Sequence, residues 1–280
     1  MIELGKVFIR GAEGLVGGRM AERWRSRARE LVAVDSSAAP DGLAGFALVV
    51  NAPELPYPPG REAAKRSLRG TIELIEAAKG AGVGHFIQVS AIGARKKARC
   101  ALHRRLFEAE EALRTCGLPY TILRPSLVFG DGAPATARII AMLRTHIPIF
   151  PMVGSGWRVS QPIHVDDLVS CAEAVVEKGP ELAIREIGGP ETMSQGELID
   201  RVMAACGKRR VKLHFPVALC RLAAPALAVL GARAPFTWDS LALLAEDDAT
   251  PENAAPKLLA GRPIRFSEWA PKAFGRTADR

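Results

Sequence analysis

The stretch Lys6-Val-Phe-Ile-Arg10-Gly11-Ala-Glu-Gly14-Leu-Val-Gly17 decides the fold of this 280-residue chain. It joins a short apolar run to a glycine-rich turn and then to an amphipathic segment, which predicts a strand, a turn and a helix. Gly11 allows the tight turn, Gly14 lets the backbone approach a pyrophosphate, and Gly17 permits close packing of the helix on the strand. The N–H groups at the start of the helix favour an anion at this place. The stretch therefore predicts a turn that binds a dinucleotide.

An acidic residue at the end of the next strand supports this prediction. The run Leu31-Val-Ala-Val-Asp35 is typical of a strand, and its last residue would accept hydrogen bonds from the adenosine ribose hydroxyls. Glu13, inside the turn, would repel a phosphate on that ribose. Both carboxylates favour NAD(H) over NADP(H). The alternative is a glycine turn that only packs the helix against the sheet.

Strands and helices continue to alternate after the turn, as expected for a mostly parallel sheet. The strands are predicted over 46–51, 85–90, 120–125 and 184–187, and the helices over 15–29, 61–80, 102–115, 135–143, 166–177 and 194–206. Ser194 and Glu197 have the spacing of a capping box at the start of the last of these helices. The predicted fold class is α/β, with a Rossmann-type doubly wound parallel sheet.

The connection between the second and third predicted strands is unusually short. Only ten residues, Ser36 to Gly45, separate Asp35 from Phe46. A crossover to another parallel strand needs about a dozen residues and usually contains a helix. We therefore expect the usual second helix and third strand to be missing, which shortens this region of the sheet and leaves Asp35 beside a more open site. A protein that kept the fold but binds no nucleotide is the alternative.

The chain is predicted to have two parts. Residues 1–150 form the dinucleotide-binding domain, whose core extends to about residue 190, and residues 191–280 form a small, mostly helical C-terminal lobe. Nearly all residues of 216–230 are apolar, so this segment is either a buried helix of the lobe or a docking segment. In the second case, residues 216–236 would contact a membrane surface or a partner protein. The proline-rich tail after Asp247 is expected to lie over the surface.

Composition narrows the classes of function. The net charge is +8, but no basic run is interleaved with aromatic residues, which make up 6% of the chain, so we expect no nucleic-acid binding. The five cysteines contain no CxxC pair of the kind found in metal sites. Because residues 6–9 already read as a strand, we expect no signal peptide. We expect a cytoplasmic protein, with peripheral attachment to the inner face of the membrane as the alternative.

Five segments resemble the atypical and extended short-chain dehydrogenase/reductase superfamily. They are GAEGLVG at 11–17, LVVNAP at 48–53, HFIQVSAIGA at 85–94, EEALRTCGLPYTILRPSLVFG at 110–130 and QPIHVDDLV at 161–169. Further stretches are similar to the branch that holds the dehydrogenase-like accessory subunit of respiratory complex I; they lie at 148–151, 156–157, 161–166, 215–216 and 235–238. This resemblance implies a bound dinucleotide that is not turned over and a C-terminal lobe that lies against the complex near its quinone site. The partner it implies is respiratory complex I or other quinone-linked membrane machinery.

The turn and the resemblance together indicate the cofactor-binding positions. These are Gly11, Glu13, Gly14, Leu15, Val16, Asp35, Ser36, Ala52, Pro53, Ser90 and Pro125. The expected cofactor is NAD(H) in preference to NADP(H). Because the adenine side of the site is expected to be open, the alternative is that no cofactor is bound.

The catalytic pair of the superfamily is absent from the chain. It is Tyr-x-x-x-Lys, in which the lysine lowers the tyrosine pKa so that the hydroxyl can transfer a proton. Alignment on Glu110-Glu111 puts Leu102 and Leu106 at these positions, and leucine does no proton chemistry. Ser90 matches the superfamily's helper serine. We therefore expect no catalytic residue and a catalytically silent protein with a structural or assembly role.

Two other functions stay open. An active NAD(P)-dependent oxidoreductase or epimerase would need a non-standard acid or base, for which Ser90, His103 and His164 are the candidates. A module that senses NAD(H) would need different affinities for its two oxidation states. The group His164-Val-Asp166-Asp167 could bind a metal ion, but adjacent aspartates are more typical of a helix cap and dipole partner, so we expect no metal site.

Overall fold

The computed structural model describes residues 4–38, 42–53, 61–145, 148–216, 218–220 and 246–275. Its strands are β1 (Leu4–Arg10), β2 (Ala28–Val34), β3 (Leu48–Asn51), β4 (His85–Val89), β5 (Tyr120–Pro125), β6 (Val128–Phe129), β7 (Ile149–Val153), β8 (Val159–Ser160), β9 (Ile163–His164), β10 (Ala183–Ile187), β11 (Met193–Ser194) and β12 (Val211–Phe215). Its helices are α1 (Leu15–Trp24), α2 (Arg61–Gly80), α3 (Ala101–Thr115), α4 (Pro134–Leu143), α5 (Val165–Lys178), α6 (Gln195–Ala205), α7 (Ala255–Leu258) and α8 (Phe266–Phe274). Of the predicted docking segment 216–236, only residues 216 and 218–220 are described; its remainder and residues 235–238 lie outside the described residues.

Six of these strands form one parallel sheet in the order β10-β5-β4-β3-β1-β2. β1 pairs with β2 on one side and with β3 on the other, so the chain starts inside the sheet and winds toward both edges. This is the Rossmann arrangement, and it creates a crevice at the carboxyl ends of β1 and β3, where ligands of such sheets bind. The predicted doubly wound fold is confirmed, and the glycine turn lies in that crevice.

The connection from β2 to β3 is as short as predicted. Its described residues, 36–38 and 42–47, contain neither a helix nor a strand. Leu43 and Phe46 are buried on one face of the sheet, where the ring of Phe46 meets that of Phe8 edge-on with centroids 5.9 Å apart. As a consequence, β2 is an edge strand in the described part of the sheet.

Helices cover both faces of the main sheet, which explains why its central strands are nearly continuous apolar runs. α1 and α5 pack on one face, around the fully buried Trp24. α2 and α3 cover the other face with Leu74 and Leu113. A shared carboxylate also ties α1 to α5, because Glu173 pairs with Arg23 at 2.6 Å and accepts from Trp24 Nε1 at 3.0 Å.

A second apolar core is built from α4, β7, α6 and α8. Its buried members include Phe129, Phe150, Leu198 and Phe266, and the rings of Phe129 and Phe266 meet edge-on with centroids 5.1 Å apart. The capping box predicted at the start of α6 is confirmed. None of the helices in the described residues has the length and apolar character that crossing a membrane requires.

The described part of the tail, 248–275, sends side chains into both apolar cores, so the prediction that it lies over the surface is wrong for these residues. In α7, Ala255 and Leu258 are buried against the core of the main sheet, and in α8 the ring of Phe266 is buried in the second core. Pro256 stands in the first turn of α7, where the missing N–H costs no hydrogen bond. The tail's prolines, of which Pro271 stands inside α8, therefore do not keep its apolar residues out of the core.

Candidate functional site

The glycine turn is held between the ends of β1, β2 and β3. Gly11 has a φ of 95°, a left-handed conformation that strains residues with a Cβ. Its N–H donates to the Val34 carbonyl at 2.8 Å, and a Cβ on it would lie 2.1 Å from the Ala52 carbonyl oxygen. A Cβ on Gly17 would lie 2.2 Å from the Gly11 carbonyl oxygen. The close backbone packing of the turn therefore requires both glycines.

The start of α1 is suited to an anion. Gly14 precedes the helix in an extended conformation, and Leu15 and Val16 begin its first turn. Gly14 has no side chain that could cap this end, and the first turn holds no acidic residue. The dipole and the amide groups of a helix start attract phosphate. The turn and the helix thus fit the pyrophosphate of a dinucleotide.

On the adenosine side, two charged side chains fix the peptide that follows Asp35. Asp35 itself is exposed just beyond the end of β2. The Ser36 N–H donates to both carboxylate oxygens of Glu13, at 3.0 and 3.1 Å. The Ser36 carbonyl accepts from the guanidinium of Arg10. Glu13 therefore bridges the glycine turn to the end of β2, the place where a Rossmann fold receives the adenosine ribose.

Arg10, the last residue of β1, is a buried cation that the sequence interpretation missed. Its Nη1 donates to Asn51 Oδ1 at 3.2 Å, and Asn51 Nδ2 donates to Gln88 Oε1 at 2.9 Å. Burial lowers the pKa of the Arg10 guanidinium, and the charge of Glu13 opposes this effect. A charged residue between an apolar strand and a glycine turn was the signal that could have identified it.

Three more of the predicted cofactor positions lie at the carboxyl ends of β3 and β5. Ala52 is buried, and its N–H donates to the Arg10 carbonyl at 2.9 Å, so that Ala52 and Pro53 stand directly beside the turn. Pro125 ends β5 and lines a cavity that adjoins the sheet. The structure therefore brings the residues of the turn, of the β2 end and of the β3 end to one edge of the sheet.

Ser90 is placed differently from the other predicted positions. Its Oγ donates to Glu110 at 2.5 Å, and Arg124 donates to both oxygens of Glu110 at 2.5 and 2.9 Å. Glu110 is 1% exposed, so this is a buried ion pair. Of the two neighbours Ser90 and Ala91, it is Ala91 that lines the cavity. The structure thus binds Ser90 into a buried network and does not bring it to the cavity wall.

The cavity has a volume of about 420 Å³, within the range of small-molecule sites. Its wall is formed by the residues that follow β4 and β5 together with parts of α3, α4, β7, α6 and residues 246–248. It therefore lies between the main sheet and the second core. Leu102, which alignment puts at the position of the superfamily's tyrosine, lines it from the first turn of α3. The described tyrosine, Tyr120, is buried in the core of the sheet, and Tyr57 lies outside the described residues.

Of the three candidate acids or bases, His103 is the one that lines the cavity. It is 6% exposed, and its Nδ1 lies 3.0 Å from Glu246 Oε2. Glu246 also accepts from the Arg99 N–H at 3.0 Å and pairs with Arg95 at 2.9 Å. Burial alone would raise the pKa of Glu246, but the bonds from His103 and Arg99 hold it below its ordinary value. A carboxylate at Nδ1 fixes the tautomer and the orientation of an imidazole.

His164 has a structural role at the start of α5. Its Nδ1 accepts from the Asp166 N–H at 3.2 Å, and burial lowers the pKa of its imidazole. Asp166 pairs with Arg19 at 2.5 Å, and Asp167 accepts from the Ile264 N–H at 2.7 Å. Both aspartates lie in the first turn, so the predicted dipole partners are confirmed, although the cap is His164. The described residues contain no group of three potential ligands that could hold a metal ion.

Comparison with known proteins agrees with this geometry. Residues 27–146 match a family model described as NAD(P)H-binding. The chain is 28% identical over 206 residues, 66% of its length, to the mitochondrial NADH dehydrogenase (ubiquinone) 1 alpha subcomplex subunit 9 of Arabidopsis thaliana. It is 28% identical over 153 residues, 51% of its length, to a chloroplastic divinyl chlorophyllide a 8-vinyl-reductase of Oryza sativa subsp. indica. The matched regions span 50% and 36% of these two relatives, so the chain covers half of their length or less.

Solved structures of the same fold align with nearly all of the chain. The dTDP-glucose 4,6-dehydratase DesIV from Streptomyces venezuelae, with NAD bound, has a TM-score of 0.75 at 15% identity and covers 98% of this chain and 97% of that one. The UDP-glucuronic acid 4-epimerase from Bacillus cereus, with UDP-glucuronic acid and NAD, has a TM-score of 0.72 at 17% identity, covering 97% and 99%. The predicted relation to the atypical short-chain dehydrogenase/reductase superfamily and to the complex I accessory subunit is confirmed. Binding of a nicotinamide dinucleotide is supported as well.

Proposed function

We propose, from this relation to the atypical short-chain dehydrogenase/reductase superfamily, that the chain binds NAD(H) without turning it over. Its role would be structural or in assembly, at an NADH:quinone oxidoreductase such as respiratory complex I. One observation carries the proposal: the glycine turn is intact, whereas the cavity beside the ends of β4 and β5 presents Ala91 and Leu102. Leu102, which alignment puts at the position of the superfamily's tyrosine, can neither give nor take a proton.

The residues that would hold the dinucleotide lie along one edge of the sheet. The first turn of α1, with Leu15 and Val16, would bind the pyrophosphate, and Asp35 would bind the adenosine ribose. The nicotinamide end would lie toward Pro125 and the cavity. A bound nicotinamide would bring the capacity for hydride transfer, and this chain's own residues would bind and orient the cofactor there.

Glu13 supports a preference for NAD(H) over NADP(H). Its carboxylate occupies the Ser36 N–H, at 3.0 and 3.1 Å, beside the place of the adenosine ribose. A phosphate on that ribose would meet a negative charge and would find this amide already engaged. Asp35, exposed at the same strand end, adds a second negative charge.

Nucleotide titration tests this preference. We expect the purified chain to bind NADH at least tenfold more tightly than NADPH, followed by the fluorescence of the reduced nicotinamide. Glu13→Lys should improve the affinity for NADPH by about tenfold, which corresponds to about 1.4 kcal/mol. The matched control is Glu22→Lys, which makes the same charge change at an exposed position of α1 away from the turn. Equal affinities for both nucleotides in the natural chain would contradict the preference, and binding of neither would contradict the proposed cofactor.

Catalytic silence is tested with the same protein. NADH and decylubiquinone, or NADH and an aldehyde, are incubated with the chain, and the absorbance of NADH is followed. We expect no oxidation above the rate without protein. Turnover that disappears on changing a residue of the cavity wall would overturn the silent assignment.

The proposed partner is respiratory complex I or other quinone-linked machinery, with attachment to the inner face of the membrane. The support is the likeness to the alpha subcomplex subunit 9. Deletion of the gene should reduce the assembled NADH:quinone oxidoreductase seen on native gels, and the tagged chain should co-purify with that complex from membranes. Normal assembly together with a lack of co-purification would contradict this role.

His103 favours a second candidate function, an NAD(P)-dependent oxidoreductase or epimerase with a histidine acid or base. The observation behind it is the pairing of His103 with Glu246 at 3.0 Å on the cavity wall. If activity is found, this candidate predicts that His103→Gln abolishes the rate while NADH affinity stays unchanged. His164→Gln serves as the comparison, because His164 is a helix cap outside the cavity wall.

A further inference from the structure

We propose that the cavity binds an elongated apolar molecule with a neutral polar head, a carbonyl or a hydroxyl, and not a sugar nucleotide. The proposal goes beyond dinucleotide binding and does not require an occupied cofactor site. It rests on the nature of the wall, which differs strongly between the two ends of the cavity.

The larger part of the wall is apolar and comes from the second core. Six side chains from three elements form it: Ile139 and Met142 of α4, Phe150 and Met152 of β7, and Leu198 and Ile199 of α6. Four of the six are also nearly fully buried members of that core, so the wall is packed and not an accidental surface groove. A tail without polar atoms is the ligand part that such a wall stabilises, because burying it removes apolar surface on both sides from water. The two flexible methionines can adapt to its shape.

The polar end holds three carboxyl groups that the protein itself engages. Glu246 is bonded to His103, Asp247 accepts from the Val159 N–H at 3.0 Å, and Asp248 accepts from the Leu127 N–H at 2.5 Å. The negative charge of a nucleoside diphosphate would be repelled by all three carboxylates. The wall also contains two arginines, but one of them, Arg158, faces Asp247 at 3.7 Å. The charges of this end therefore disfavour a diphosphate and leave room for a neutral head.

His103 is the side chain that can recognise such a head. Its Nδ1 is engaged by Glu246, which leaves Nε2 as the ring atom for an oxygen of the ligand. The neutral ring would accept a hydrogen bond from a hydroxyl, and the protonated ring would donate one to a carbonyl. Because His103 follows Leu102 in the first turn of α3, the head would lie at this end of the cavity and the tail between α4 and α6.

The test is isothermal titration calorimetry of the full chain with 2-nonanone, 1-nonanol and UDP-glucose. We expect saturable one-to-one binding of 2-nonanone or 1-nonanol and no detectable binding of UDP-glucose. Met142→Trp should fill the apolar end and weaken the nonanone or nonanol affinity at least tenfold. Ala141→Trp, on the exposed face of the same helix, is the matched control and should leave the affinity within twofold. His103→Phe should weaken the binding of 1-nonanol more than the binding of n-nonane.

Each other outcome overturns the proposal. Binding of UDP-glucose would make the cavity a sugar-nucleotide site, and equal losses in Met142→Trp and Ala141→Trp would indicate nonspecific partitioning. Absence of any saturable binding would show that the cavity takes none of these ligands. If Met142→Trp does not unfold cooperatively like the natural chain, Ile139→Phe, a smaller change on the same wall, takes its place with the same expected loss.

Discussion

Replacing Asp248 by asparagine should change how the stability of this protein depends on pH. The Asp248 carboxyl lies on the cavity wall, where its Oδ2 accepts from the Leu127 N–H at 2.5 Å and lies 3.5 Å from Ser160 Oγ. Burial raises the pKa of this carboxyl to about 6, from an ordinary value of 3.8. Asparagine keeps the shape and an oxygen for the Leu127 N–H but cannot ionise.

The size of the effect follows from linkage. A carboxyl whose pKa is raised by folding adds stability below its unfolded pKa, near 3.8, and loses that contribution as the pH rises through about 6. The shift of roughly two units corresponds to about 3 kcal/mol in the free energy of unfolding. We take this as the upper limit, because Asp248 is only partly buried as a residue. The free energy of unfolding of Asp248→Asn should therefore exceed that of the natural chain by up to this amount at pH 8, and the two should be equal at pH 4.

Urea denaturation followed by tryptophan fluorescence at pH 4, 5, 6, 7 and 8 measures this difference. Taking the difference between variant and natural chain cancels the other titrating groups that the substitution leaves unchanged. Asp247→Asn is the control for the loss of a carboxylate at this place, since that neighbouring side chain is 56% exposed. A difference for Asp248→Asn that does not vary with pH, or one that favours the natural chain as the pH rises, would refute the reasoning. The second result would mean that the folded state prefers the ionised carboxylate.

Three further substitutions test other parts of the structure. Gly11→Ala should lower the free energy of unfolding by at least about 3 kcal/mol. The alanine would have to adopt a left-handed conformation, and its Cβ would clash with the backbone; urea denaturation measures the loss. Glu110→Gln should cost about 3 kcal/mol, because it leaves the buried Arg124 without its close carboxylate, and a loss under 1 kcal/mol by the same assay would contradict the buried pair. Arg10→Met should weaken NADH binding by about tenfold in a fluorescence titration, since the peptide after β2 loses its cationic donor. An unchanged dissociation constant would show that Arg10 does not shape the site.

Local sequence pattern was sufficient for elements whose burial is regular. The predicted bounds 61–80 and 120–125 coincide with α2 and β5, because a helical period and a continuous apolar run are unambiguous there. The first helix is predicted to reach residue 29 but ends at Trp24, and β2 already begins at Ala28. The first half of β2 carries charges that continue the pattern of an exposed helix face. A strand tolerates them here because it lies at the edge of the sheet.

Only part of the candidate site could be predicted from the local sequence. Spacing along a few residues predicts the glycine turn and Asp35, since the geometry of a turn is local. The contacts that decide the roles of Ser90 and His103 come from distant parts of the chain: Glu110 lies 20 residues from Ser90, and Glu246 lies 143 residues from His103. The local sequence around a residue does not indicate which distant carboxylate will contact its side chain in the folded chain. The resemblance named Ser90 as a helper, but it could not show that the side chain turns into a buried ion pair.

The short connection after β2 has a consequence for how two molecules of this protein meet. An edge strand presents backbone N–H and carbonyl groups that a strand of another chain can pair with. The charged residues Arg29 and Glu30 disfavour such pairing along the first half of β2, where Lys6 also pairs with Glu30 at 2.6 Å. The second half, residues 31–34, is apolar and only partly buried. We therefore expect aggregation by strand addition to start at this half, and we expect the solubility of the concentrated protein to depend on the charges that flank it.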